Sequence, residues 1–190
     1  MLLRTITSLT CCCLLATAAS LAQTEKPMGN MKMDKQPAKP LPSPVAESTV
    51  KLNGHAAVKI HYNSPSMRGR KIMGELVPYG QVWRTGANEA TTLVTGANLK
   101  IGSLTVPAGT YTIYTLPSAD KWLLIVNKLT GQWGTVYDES KDLGRVPMES
   151  KTLPAPQEKM TISFENTHGN STELHVKWEN TDKYVAITAE

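Results

Sequence analysis

The alternation of apolar and polar residues is the feature that most constrains the fold of this chain. Val58, Ile60 and Tyr62 alternate with polar neighbours, and the same period of two recurs at 99–106. Successive side chains of a β-strand point to opposite faces, so this period predicts half-buried strands. Gly102-Ser103, inside the second run, is a two-residue hairpin signal.

Short strands continue along the rest of the chain. A run rich in β-branched and aromatic residues predicts a strand at 110–116, and an apolar run predicts another at 122–126. Further strands are predicted at 161–165, 172–178 and 183–188, and one helical turn at most at 138–143. Many short strands separated by turns indicate an all-β fold. We therefore expect an antiparallel β-sandwich, of jelly-roll or immunoglobulin-like arrangement, as a single domain over 48–190.

Residues 1–22 have the pattern of a secretory signal peptide. Arg4 supplies the positive n-region, 6–18 is an uncharged apolar and small-residue stretch, and 20–22 offers small residues before a cut ahead of Gln23. The apolar stretch is shorter than the about 20 residues that a membrane-spanning helix needs. We expect export to the periplasm or the extracellular space, with no membrane span after cleavage.

The composition of the mature chain excludes several kinds of site. All three cysteines, at 11–13, lie in the predicted signal peptide, so thiolate nucleophiles and thiolate metal ligands are not expected. Without Arg4, the 20 basic and 16 acidic residues of the chain leave a net charge of +3. A nucleic-acid-binding domain would be strongly basic along one stripe, so no nucleic-acid partner is predicted. The histidines form no ligand motif, and no metal site or cofactor is predicted for the domain.

Residues 23–47 differ in composition from the predicted domain. They hold five of the twelve prolines and four lysines but no aromatic residue. Such a segment buries too little apolar surface to offset its ordering entropy, so it reads as a disordered linker. Met28, Met31 and Met33 lie close together in it, and thioethers are soft ligands suited to Cu(I). Copper handling is therefore one alternative function.

The segment 65–92 interrupts the alternation and is the predicted functional region. It has four glycines and two prolines, and long connections of this kind are usually functional or disordered. Its apolar residues favour packing on the body of the domain. The candidate ligand-binding residues in this segment are Arg68, Arg70, Lys71, Tyr79, Trp83, Arg84, Asn88 and Glu89.

Each of two sets of charged residues in this segment has both a structural and a ligand-binding interpretation. We predict that Arg84 and Glu89 face each other in one partly buried site, either as a structural ion pair or as groups awaiting a ligand. Arg68, Arg70 and Lys71 either hold an anion such as phosphate or carboxylate, or form a solvated loop face.

Aromatic residues near the segment are also open to two interpretations. Tyr79, Trp83 and Trp133 could stack on a sugar ring or another flat apolar ligand, but we expect them to belong mainly to the core.

One block of the sequence resembles a known bacterial family. The residues G-R-K-I-M-G-E-L-V-P-Y-G-Q-V-W-R-T-G-A-N-E-A-T at 69–91, with the strings at 107–117, 122–128 and 132–134, look like the exported domain-of-unknown-function family number twenty-nine-eleven. The likeness extends over roughly 48–190 and is most specific at 83–91. It implies an exported β-sandwich, and it implies no reaction or catalytic residue.

These observations favour a binding function over catalysis. We expect a cell-envelope domain that binds a small ligand or an envelope protein, and we lean against an enzyme. The alternative is a hydrolytic enzyme that acts on an envelope glycan or peptide with Glu89 as its acid or base. Glycosidase-type chemistry needs two carboxylates flanking one bond, so a second acid near Glu89 would favour the enzyme.

Overall fold

A computed structural model describes residues 43–190, which form nine β-strands and one short 3-10 helix. The strands are β1 (Val45–Leu52), β2 (Ala56–Asn63), β3 (Thr92–Thr95), β4 (Leu99–Ile101), β5 (Leu104–Val106), β6 (Gly109–Leu116), β7 (Trp122–Asn127), β8 (Asp142–His168) and β9 (Ser171–Ala189). The 3-10 helix, Glu139–Lys141, lies within the predicted single helical turn.

The predicted signal peptide, 1–22, lies outside the described residues, as does most of the predicted linker, 23–47. Strand β1 begins at Val45, three residues before the predicted start of the domain, and Val45 pairs with Asn63 of β2.

All nine strands join one antiparallel sheet in the order β1-β2-β3-β6-β7-β8-β9-β4-β5. The prediction of an all-β antiparallel domain is confirmed. The division into the two sheets of a sandwich stays a prediction, because the pairing connects every strand in one continuous sheet. In the part of the chain that the structure describes, no helix is long and apolar enough to cross a membrane.

Strand β2 shows how the sequence pattern specifies the sheet. Val58, Ile60 and Tyr62 are buried, whereas Lys59 and His61 between them are exposed. The predicted hairpin is also present, because β4 pairs with β5 across the Gly102-Ser103 turn. In β2, alternation therefore places one side of the strand on the core and the other in solvent.

Strands β8 and β9 form a hairpin much longer than the sequence pattern predicts. The start of β8 pairs with β7 and its remainder with β9, whose last residues pair with β4. The strands predicted at 172–178 and 183–188 are both parts of β9. Pairing with β9 shifts register twice between Thr152 and Thr161, around Pro154 and Pro156. Proline cannot donate to a strand ladder, so it occurs at bulges of this kind.

One hydrophobic cluster unites residues from both ends of the strand order. Leu52 and Val58 of β1 and β2 belong to the same cluster as Val106 of β5, and all three are fully buried. Trp122 and Trp178 are among its largest buried side chains. Burial of one such aliphatic side chain contributes about 1.5–3 kcal/mol, so this cluster is the main source of stability.

Candidate functional site

The connection between β2 and β3, residues 64–91, lies against the sheet. The Trp83 N–H donates to the Thr115 carbonyl at 2.8 Å, and the Thr115 N–H donates back to the Trp83 carbonyl at 2.9 Å. Earlier in the connection, the Met67 N–H donates to the Glu158 carbonyl at 2.8 Å. These bonds attach the connection to β6 and β8, so its side chains are held by rigid elements.

Trp83 anchors the connection in the core. Its ring stacks on Trp178 at 5.9 Å with an interplanar angle of 17°. It also meets the edge of Trp122 at 6.3 Å. Such aromatic pairs contribute about 0.5–1.5 kcal/mol beyond their buried area. The packing fixes the position of the next residue, Arg84.

The turn at 84–88 has a strained backbone. Thr85 has a φ of 52° and Asn88 a φ of 57°. Positive φ is unusual for a β-branched residue. Thr85 is nevertheless buried, its hydroxyl lies 3.1 Å from the Thr115 hydroxyl, and its carbonyl accepts from the Thr91 hydroxyl at 2.9 Å. Strain that the surroundings enforce in this way is concentrated at functional sites.

A cleft of about 260 Å³ opens beside this turn. We call it the arginine cleft. Its polar side chains are those of Arg70, Arg84, Asn88 and Ser43, and its apolar walls are Pro65, Leu76, Val77, Trp83, Ala87 and Trp178. Among the described residues, no acidic side chain lines it. Two guanidinium groups therefore share a cleft with aromatic and aliphatic walls.

Neither guanidinium group of this cleft has a carboxylate partner among residues 43–190. Arg84 Nε is buried and has no hydrogen-bond partner among residues 43–190. Arg70 donates from Nε to the Met67 carbonyl at 2.9 Å and from Nη2 to the Ser66 carbonyl at 2.8 Å. Within the same residues neither arginine forms an ion pair with a carboxylate. Carbonyl oxygens carry no net charge, so both positive charges lack a counter-charge within the part of the chain that the structure describes.

A smaller cleft of about 140 Å³ lies on another side of Arg84 and includes Tyr114 and Tyr137. Burial raises the pKa of Tyr114. Burial, followed by the hydrogen bond to Asp142, raises the pKa of Tyr137 to about 12. Both phenols therefore stay protonated at neutral pH, and neither can serve as a counter-anion for Arg84.

Gly134 fixes the position of the Arg84 side chain. A β-carbon at this glycine would lie 2.4 Å from Arg84 Cδ and 2.7 Å from the Asn88 carbonyl oxygen. The Gly134 N–H donates to that same carbonyl at 2.9 Å. The aliphatic part of Arg84 thus lies directly on the glycine backbone, where no other residue leaves room.

A third cleft, of about 290 Å³, lies beside the bridge between Glu89 and Trp133. We call it the tryptophan cleft. Its lining is formed by His61, Glu89, Ala90, Thr92, Gly131, Gln132 and Trp133. Gln132 Oε1 is buried without a hydrogen-bond partner among the described residues. An unpaired buried acceptor destabilises the fold by about 1–3 kcal/mol.

Comparison with protein families gives one match. Residues 43–187 match the family described as protein of unknown function DUF2911. The chain belongs to the DUF2911 family. The resemblance noted at 69–91 is thereby confirmed. Comparisons with the curated proteins and with the solved structures give no significant match.

The DUF2911 domain separates the candidate residues of the 65–92 segment into three groups. The arginine cleft brings together Arg70, Trp83, Arg84 and Asn88. Glu89 lines the tryptophan cleft instead. The remaining candidates, Arg68, Lys71 and Tyr79, line none of the three clefts. The predicted pair of Arg84 and Glu89 is not formed, because the strained turn between them places them in different clefts.

The expected burial of two aromatic residues is wrong for this DUF2911 protein. Tyr79 is 45% exposed and Trp133 is 54% exposed. The Tyr79 ring lies over Gly74, and Trp133 lies in an irregular segment between β7 and β8. Trp83 does pack against the core, as expected.

Some lining residues of the DUF2911 clefts that lie far from the 65–92 segment were not among the candidates, and Gln132 and Trp178 are examples. They lie far along the chain from the 65–92 segment, and only the pairing of distant strands brings them to it. Among residues 43–190, no group of three or more His, Cys, Asp or Glu side chains is arranged to hold a metal ion.

Proposed function

We propose that this protein is an exported cell-envelope protein whose β domain binds a small organic anion in the arginine cleft. The observation that carries the proposal is the pair of guanidinium groups, Arg70 and Arg84, that share this cleft without a counter-charge among the described residues. An anionic ligand would supply the missing charge. Arginine is suited to this role because its planar donors match carboxylate and phosphate groups.

The size and walls of the cleft define the ligand further. Its volume of about 260 Å³ lies just below the roughly 300–1,000 Å³ typical of sites for drug-sized molecules. Trp83, Trp178 and Leu76 offer apolar surface next to the two arginines. These features favour a small molecule with one carboxylate or phosphate group and a flat apolar body.

Hydrolysis by Glu89 and copper handling receive less support. A two-carboxylate mechanism needs a second acid, and Glu89 is the single carboxylate among the described residues that line its cleft. The methionines proposed for copper lie at 28–33, outside the described residues. Binding of a small anion is therefore the function that we put forward.

Export is proposed from the sequence alone. It rests on Arg4 and the apolar stretch 6–18 followed by small residues at 20–22. N-terminal sequencing of the protein recovered from the host envelope would begin near Gln23 if the proposal is right.

We also propose that the sheet folds over into the two layers of the predicted sandwich. Strands β2 and β8 are not neighbours in the strand order. Nevertheless the Tyr62 hydroxyl accepts from the Ile162 N–H at 3.1 Å, and the Met160 N–H donates to the Pro65 carbonyl at 2.8 Å. Contacts between such distant parts of one sheet require it to curl, and this supports a layered arrangement.

The anion proposal is tested by thermal unfolding of the purified protein with benzoate, phenyl phosphate, inorganic phosphate or chloride at equal ionic strength. A ligand that binds only the native state raises its stability, by about 2.7 kcal/mol at one hundred times the Kd. We expect benzoate or phenyl phosphate to raise the Tm more than inorganic phosphate, because the cleft has apolar walls. Comparison of the two aromatic anions separates carboxylate from phosphate recognition.

The decisive variant is Arg84→Met, and its matched control is Arg68→Met. Both substitutions remove one guanidinium group from the same connection, but Arg68 is exposed and lies outside the cleft. We expect Arg84→Met to abolish the anion-dependent rise in Tm and Arg68→Met to retain it. Equal loss in both variants, or no rise in the wild type with any of these anions, would overturn the proposal.

A further inference from the structure

The amide of Gln132 has only one possible orientation. The Thr112 hydroxyl donates to the Leu129 carbonyl and the Tyr114 hydroxyl donates to the Val136 carbonyl, both at 2.7 Å. Because those hydrogens are already used, both hydroxyls can only accept from Gln132 Nε2, which lies 3.1 Å and 3.0 Å away. The amide oxygen therefore points elsewhere, and it is the buried acceptor that lacks a donor.

The remaining side chains of the tryptophan cleft also offer acceptors more than donors. The Thr92 hydroxyl donates to the Ala90 carbonyl at 3.3 Å, which leaves its oxygen to accept. Within residues 43–190, the exposed Glu89 carboxylate forms no ion pair. His61 Nδ1 lies 3.9 Å from Glu47 Oε2, and the Trp133 indole N–H has no hydrogen-bond partner among the described residues. A ligand that donates hydrogen bonds suits this lining better than one that accepts them.

Trp133 differs from the other three tryptophans. Trp83, Trp122 and Trp178 pack against one another, whereas Trp133 is 54% exposed and forms no aromatic pair in the described part of the chain. The face of an indole ring carries negative electrostatic potential and attracts cations within about 6 Å. An accessible indole beside an unpaired carboxylate thus combines two features that attract a positive charge.

We infer that the tryptophan cleft binds an organic ammonium group, with the alkyl part lying on Trp133 and the ammonium group held by Glu89. This site is independent of the arginine cleft, because it uses different residues and a ligand of opposite charge.

The test is a titration of the purified protein with n-butylammonium chloride, followed by the indole N–H signals in an NMR spectrum. The titration is run at neutral pH, where the n-butylammonium group is charged. The Trp133 signal is assigned by its loss in Trp133→Phe. We expect that signal to shift with saturation, while the signals of the three buried tryptophans stay in place. n-Butanol, the neutral analogue, should bind at least about threefold more weakly, because it lacks the ion pair with Glu89.

Variants assign the contributions of the two main groups. Glu89→Gln should weaken n-butylammonium binding by about two- to fivefold, and Trp133→Leu by a similar factor. The matched controls are Glu75→Gln and Tyr79→Leu, which remove an exposed carboxylate and an exposed aromatic ring of the same connection outside the cleft. Both controls should bind like the wild type.

Three results would overturn this inference. The first is equal affinity for n-butanol and n-butylammonium, which would mean that only apolar contact matters. The second is tighter binding of methyl glucoside, which would make the cleft a sugar site. The third is binding that Glu89→Gln leaves unchanged.

Discussion

The β8–β9 hairpin and the arginine cleft differ in whether their buried charged groups have partners of opposite charge. On the hairpin, His175 is fully buried, and its ring nitrogens lie 2.8 Å from Asp182 and 3.0 Å from Glu173. Lys151 and the Asn166 amide each lie 2.7 Å from Glu173, so this carboxylate has three partners. In the cleft, Arg84 Nε is buried with no partner among the described residues.

This difference in pairing distinguishes charged groups that stabilise the fold from charged groups that are available to bind a ligand. Both ring nitrogens of His175 face carboxylate oxygens, which only accept hydrogen bonds. Its neighbours then form a closed set of opposite charges, which serves the hairpin. An arginine left without a counter-charge adds nothing of this kind to stability, and such groups are retained where function requires them.

The largest expected effect on stability comes from breaking a buried pair on the β8–β9 hairpin. Asp182→Asn removes a carboxylate that is 4% exposed and leaves buried His175 with a neutral amide as its partner. We expect the free energy of unfolding to fall by about 3–5 kcal/mol, as for other broken buried pairs. Urea unfolding measures it. As a control, Glu47→Gln breaks the exposed pair with Lys59, and the loss should stay below about 1 kcal/mol. Similar losses in both variants would show that burial of the hairpin charges is unimportant.

An intermediate effect on stability is expected when the pH is lowered, because Glu173 belongs to the same cluster of charges. The hydrogen bond from Lys151 is the main cause that lowers the pKa of Glu173 from 4.5 to about 2. A carboxylate whose pKa is lower in the folded state stabilises the fold above its unfolded pKa, and this contribution is lost as pH falls from 4.5 towards 2. The Tm difference between wild type and Glu173→Gln should therefore be largest above pH 4.5 and vanish near pH 2. Parallel curves of Tm against pH would contradict this.

The smallest expected effect on stability comes from removing the charge of Arg84 in the arginine cleft. Arg84→Met keeps an unbranched apolar side chain over Gly134 and removes a charge that has no counter-charge among the described residues. We expect the free energy of unfolding to change by less than about 1 kcal/mol, or to increase.

The matched variant for Arg84→Met is Arg145→Met, whose guanidinium group lies 2.9 Å from Asp142 and 2.7 Å from Glu139. It should destabilise the domain by about 1–2 kcal/mol. A larger loss in Arg84→Met than in Arg145→Met would mean that Arg84 is a structural residue.

Local patterns in the sequence predicted much of the fold. Alternation in β2 and the Gly102-Ser103 turn predicted strands and a hairpin that are present. Strand β1 was missed because it follows directly on a proline-rich segment with the composition of a linker. The length of β8 was missed because Pro147, Pro154 and Pro156 interrupt its pattern, although register shifts accommodate the later two.

The sequence predicted which segment contributes to the candidate site, but it did not predict how the side chains of that site are arranged. The 65–92 segment does contribute to all three clefts. Arg84 and Glu89 are five positions apart, and nothing in the sequence indicated that Thr85 adopts a positive φ. Trp178 and Gln132 reach the clefts through contacts between distant parts of the chain, which no local pattern reveals.

The most direct test of anion binding by Arg70 and Arg84 is an NMR titration. It follows the arginine Nε–H signals while benzoate is added at constant ionic strength. We predict that the Arg84 signal, assigned by its loss in Arg84→Met, shifts and saturates together with that of Arg70. The signals of Arg68 and Arg145, which lie outside the arginine cleft, should stay in place. An Arg84 signal that does not move, or equal shifts of all four signals, would contradict the claim that the arginine cleft binds an anion.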